Sequence, residues 1–77
     1  MIGDITIAAY ERTPEGHVPC DGRDLEIAKY PALFALIGNK FGGNGSTHFA
    51  VPKLNGAVFG VHFNIHATED DFPNFEN

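Results

Sequence analysis

The last third of the chain alternates most cleanly. In AVFGVHFNIHA, Ala57, Phe59, Val61, Phe63, Ile65 and Ala67 fall on one side, and Val58, Gly60, His62, Asn64 and His66 on the other. A period of two belongs to a strand, whose successive side chains point to opposite faces. The pattern predicts one long strand with an apolar face and a polar, solvated face. GDITIAAY alternates as well, with Ile5, Ile7 and Ala9 opposed to Asp4, Thr6 and Ala8, and predicts a half-buried strand. ERTPEG follows as a loop. HVPCDGRDLEI predicts a tight hairpin or turn about Asp21-Gly22, since Asp-Gly suits a type I′ turn; the flanking strands must be short because Pro19 withholds a ladder donor.

YPALFALIG carries the helical period. Leu33, Leu36 and Ile37 recur at i, i+3 and i+4, with Tyr30 and Phe34 widening the stripe. Pro31 suits the first helical position and Gly38 a C-cap. Two turns of helix do not persist alone in water, so this one must pack on the strands. NKFGGNGST predicts a turn-rich loop, THFAV a short strand with Thr47, Phe49 and Val51 on one face, ended by Pro52, and KLNG a further turn. The fold class is therefore α+β: a small sheet of short strands with one short helix packed on it.

The chain is short, 77 residues, and a domain of this size buries a modest fraction of its surface. Cys20 is the only cysteine, which rules out an internal disulfide and leaves a metal or a partner subunit as added support. The net charge is −5, and the five basic residues, Arg12, Arg23, Lys29, Lys40 and Lys53, are scattered. A nucleic-acid binder needs a cationic footprint, so nucleic acid is not an expected partner. Nothing approaches the roughly 20 apolar residues of a membrane span, and no basic segment precedes an apolar run at the start of the chain. Membrane insertion is not expected, and synthesis in a cytoplasm is.

Candidate chemistry is sparse. Gly42, Gly43 and Gly45 lack the Gly-Lys-Ser/Thr ending and the flanking elements of a phosphate loop, and read as a structural loop. His17 and Cys20 are three apart in an extended segment, which sets them on opposite faces with no third orienting group, so Cys20 reads as a buried thiol. Asp21 before glycine is turn chemistry. His62 and His66 share a strand face, but four residues of strand span about 13 Å, too far for one metal. They become metal candidates only by converging from several chains on a trimer axis; the competing expectation is a solvated polar face, and otherwise no cofactor is expected. The acidic end, TEDDFPNFEN, sets Phe72 and Phe75 around Pro73. These two are expected to dock on this chain or a neighbour, as partner-binding anchors.

PEGHVPCDGRDLEIAKYPALFALIGNKFGGNGSTHFAVPKLNG, taken as a whole, resembles the phage tail collar domain. The motifs that carry the resemblance run in order over about Gly3 to Gly60: Cys20-Asp21-Gly22, then Tyr30-Pro31 with Leu33, Phe34, Ile37 and Gly38, then Phe41-Gly42-Gly43 with Gly45, then Phe49, Pro52, Leu54 and Gly56. The family tryptophan is His17 here, the family aspartate after proline is Lys53, and the family arginine is Ala57. The resemblance implies a tail-collar-like domain over 1–67 followed by an acidic tail over 68–77. It implies a homotrimeric structural protein of the virion, in the tail tip, baseplate or tail fibre, that contacts other tail proteins and supports host attachment without catalysis. The short chain favours a small tip or baseplate protein. The alternative is an adhesin that binds a host receptor or glycan directly, with Tyr10, Asn44, His48 and Asn55 as its loop candidates.

Overall fold

The computed structural model describes residues 1–69. The elements are β1 (Ile5–Ala8), β2 (His17–Pro19), β3 (Asp24–Glu26), α1 (Pro31–Ile37), β4 (His48–Ala50) and β5 (His62–His66). They form an α+β fold with two small antiparallel sheets, one ordered β1-β5-β2 and one pairing β3 with β4. One core serves both sheets: Val18, Cys20, Leu25, Leu33, Phe49, Val51, Ile65 and Ala67 are buried together. Helix α1 starts at Pro31 without a side-chain cap, and the Gly38 N–H donates to the Phe34 carbonyl at 2.8 Å. Its buried side is Leu33, flanked by Tyr30, Phe34 and Ile37, and the Phe34 ring meets Phe49 edge-on at 5.3 Å. Leu36 is exposed instead of sharing that stripe.

Three expectations from the pattern are corrected. The Asp21-Gly22 hairpin does not form: β2 pairs with β5 and β3 with β4, and among the described residues only glycines have positive φ. A type I′ turn needs φ > 0 at both central residues, which Asp21 does not supply. The long final strand is only His62–His66. Residues 57–60 make turns ending at Gly60, φ +84°, and Phe59 is wholly exposed. The third correction concerns exposure. Ile5 and Ile7 lie opposite Ile65 and Phe63 as the alternation requires, yet they are 43% and 64% exposed, because β1 is an edge strand beyond the reach of the core. Conversely, Asn64 on the polar face is buried, with Thr13 of the preceding loop donating to its Oδ1 at 3.0 Å. That face is covered, not simply solvated.

The loop between α1 and β4 is held by its own side chains. Asn44 Oδ1 accepts the backbone N–H groups of Ser46, Thr47 and His48, and the Ala50 N–H reaches back to the Gly42 carbonyl. At Gly43 the backbone passes so near β4 that a Cβ would stand 2.4 Å from Phe49 Cα and 2.7 Å from the His48 carbonyl oxygen. Gly56 has a similar φ, +96°, but open space around it. An alanine forced to positive φ costs about 1–2 kcal/mol. Gly56→Ala is expected to lose about that much in a denaturant titration, and Gly43→Ala several times more, because the clash is with backbone that cannot rotate away. Equal losses would show that β4 and the loop do not approach in this way.

Candidate functional site

The motif residues gather around the backbone of Cys20. Its thiol belongs to the core and is fully buried. Its N–H donates to the Phe63 carbonyl at 2.9 Å, continuing the β2–β5 ladder beyond Pro19. A regular antiparallel pair would exchange a second bond, from Phe63 N–H to the Cys20 carbonyl. Here Asn55 intervenes. The Phe63 N–H donates to Asn55 Oδ1, while the Leu54 and Asn55 N–H groups both donate to the Cys20 carbonyl at 2.9 Å. The result is a closed ring of hydrogen bonds through Cys20, Phe63 and Asn55. At this point the chain leaves the first sheet and turns toward the second.

Asp21 follows directly. It forms an isolated antiparallel bridge with Lys53, and its carboxylate accepts the Arg23 backbone N–H and both Nε and Nη2 of the Arg23 guanidinium, the last at 2.9 Å. Gly22 lies against Lys53, whose Cβ would stand 3.3 Å from an added Cβ. Hydrogen bonding from Arg23 is the main cause that holds the Asp21 carboxyl below its usual range. Burial, and secondarily the Asp21 charge, pushes the Cys20 thiol up to about 11. A thiol so shifted is protonated at neutral pH and is a poor nucleophile. His17 lies on the other face of β2, stacked on His66 across the strands with ring centroids 4.7 Å apart and its Nδ1 2.9 Å from the Glu15 carbonyl oxygen. The structure thus separates His17 from Cys20.

The remaining candidates divide in the same way. Pro31 opens α1, Gly38 closes it, and Phe34 packs on the core; Pro52 is buried after β4. Gly42, Gly43 and Gly45 all have positive φ in the loop that Asn44 ties down, and the Ser46, Thr47 and His48 N–H groups that follow are taken by the Asn44 carboxamide. Among the loop residues proposed for a glycan, Asn44 and Asn55 hold backbone, and His48 Nδ1 lies 2.8 Å from Thr47 Oγ1; Tyr10 is exposed. His62 and His66 both lie on β5, with His66 Nε2 4.0 Å from a Glu69 carboxylate oxygen. Among the described residues no three His, Cys, Asp or Glu side chains are grouped to hold a metal, and no helix is long and apolar enough to cross a membrane. Phe72 and Phe75 lie outside the described residues. Asn55 is the residue whose structural weight sequence reasoning missed; the signal was its position inside KLNG, between Leu54 and Gly56 of the motif.

The site is therefore a structural joint, built by a small α+β module whose motif residues fix backbone. The chain matches the model of the phage tail collar domain over residues 3–59, and it belongs to that family. Membership makes it a structural module of the phage tail fibre that associates with other tail proteins. No curated protein and no solved structure matches the chain in the same comparisons.

The Asp21–Arg23 pair supplies a pH test. Because the folded carboxyl titrates below its unfolded value of about 3.9, its contribution is present above that value and disappears as pH falls through the folded one. The pair is half exposed, at 39% and 51% for the two side chains, so its worth is below about 1 kcal/mol. Arg23→Ala is expected to move the Asp21 titration, followed by NMR, up toward the ordinary carboxylate range. Stability at pH 7 is expected to fall slightly, and the difference from wild type to vanish in acid. A titration that does not move would mean that the pair does not form in solution.

Proposed function

We propose that the chain acts as a homotrimeric collar-type module of the virion, at the tail tip, baseplate or tail fibre, and supports host attachment. The observation that carries this reading, beyond family membership, is the apolar surface the single chain leaves uncovered. Ile5 and Ile7 on the open edge of β1, with Val58 and the wholly exposed Phe59 before β5, are large apolar side chains in water. Large apolar side chains left in water by a small domain favour burial against a partner, and an open strand edge invites pairing. The small shared core gives the same incentive to associate. The adhesin alternative is weaker, because Asn44 and Asn55 already serve the fold and only Tyr10 remains an exposed candidate. If the trimer holds an axial metal, His62 or His66 is its ligand, and the His66 ring is already braced by stacking on His17.

Native mass spectrometry of the purified chain tests the assembly. The expected species has three times the 8.3 kDa of one chain, and Ile7→Ser with Phe59→Ser is expected to shift it to monomer while the fold is retained. A monomer at every concentration would remove the homotrimer. Dissociation by chelator, reproduced by His62→Ala or His66→Ala, would place a metal on the axis; a trimer indifferent to chelator removes the metal and leaves the assembly standing. For host attachment, excess protein is expected to slow phage adsorption to host cells, and no effect at saturating protein would count against a direct part in attachment.

A further inference from the structure

A shallow groove of about 390 Å³ runs between the start of the chain, the start of α1 and the end of β5. Ile2, Tyr30, Pro31 and Ala67 form its apolar wall, Lys29 supplies a cation, and Glu69 stands at one end. Ile2 and Tyr30 already pack on the core, so the groove is continuous with the buried interior. The chain goes on from Glu69 as Asp70-Asp71-Phe72-Pro73-Asn74-Phe75-Glu76-Asn77, eight residues with three carboxylate side chains and two phenylalanines.

We propose that this groove is the docking site for the chain's own C-terminal segment, 70–77, and that Phe72 is the side chain it takes. Three observations select that occupant. The groove begins at the residue from which the segment leaves, and Phe72 lies three residues on, a reach of about 10 Å at the extended spacing of the chain. The wall offers apolar surface to an aromatic ring, which gains by burying about 150–250 Å². The charges are complementary: Lys29 lines the groove, and Asp70 and Asp71 precede the ring. Other ionisable groups at this end are Glu69 and His66, 4.0 Å from each other and close enough to pair when the imidazole is protonated, with Tyr30 in the wall, His17 stacked on His66, and the N-terminal amine paired with Asp4 beside Ile2. Docking there would clamp the N-terminal residues, the helix start and the end of the central strand together. It would also remove one more apolar surface from a domain with little core. This inference is independent of the trimer: the occupant is the same chain.

NMR on the full chain tests it, using an equal mixture of isotope-labelled and unlabelled protein. The expected result is contacts from the Phe72 ring to the Ile2 and Ala67 methyl groups that arise within one chain and persist on dilution. Phe72→Ala is expected to abolish the shifts of those methyl resonances, Phe75→Ala to leave them, and Lys29→Glu to weaken the Phe72 contacts. If Phe72→Ala does not fold, the wild-type contacts decide alone. Three results would overturn the proposal: Phe72 resonances at random-coil positions, contacts found only between labelled and unlabelled chains, or contacts to the separate cleft at Tyr10, Arg12 and Pro14. The second would transfer the segment to a neighbouring copy.

Discussion

The ring of hydrogen bonds through Cys20, Phe63 and Asn55 is the constraint on which the rest of the fold rests. Two sheets of three and two strands have little to hold them in register. At Cys20 the ladder of the first sheet is cut, and its loose ends are taken by Asn55 and Leu54 rather than by water. Buried backbone groups must find partners, and an unpaired one costs about 1–3 kcal/mol. The joint therefore does two things together. It ends the β2–β5 pairing without orphaning the Phe63 N–H, and it fixes where the chain re-enters the core before β5.

From that joint the second sheet follows. Asp21 bridges Lys53 and is braced by Arg23, and Val51 N–H donates to the Arg23 carbonyl, so the segments leading into β3 and out of β4 run side by side. The α1–β4 loop then closes on β4 at Gly43, where only a residue without a Cβ fits. Phe49 enters the core below it and meets Phe34 of the helix. Each motif of the collar family thus answers a local geometric need, and none of them forms a catalytic constellation among the described residues.

Much of this was legible in the sequence, for physical reasons. Pro31 and Gly38 mark the helix because their backbone preferences are local. The order of the motifs pointed to the family, and the period of two located β1 and the heart of β5. What failed was nonlocal. Asp21-Gly22 has the composition of a hairpin turn, but β2 finds its partner 47 residues away in Ile65 opposite Val18, and the competing pairing wins. Alternation continued through Ala57–Val61, yet Gly56 and Gly60 break the backbone there. Asn64 looked like a solvated position until Thr13 folded over it. Asn55 looked like a loop amide open to a ligand, and only the three-dimensional meeting of KLNG with Cys20 revealed it as part of the joint. Edge exposure of Ile5 and Ile7 is likewise invisible to a pattern that reports faces but not neighbours.

The most direct measurement is native-state hydrogen exchange at the amides of Cys20, Leu54, Asn55 and Phe63. If the joint holds the fold together, these four are expected to exchange only through global unfolding, with the same denaturant dependence as Ile65 in the central strand. Exchange by local opening at a far lower free energy, while Ile65 stays protected, would show that the two sheets stand without the joint and would contradict the account.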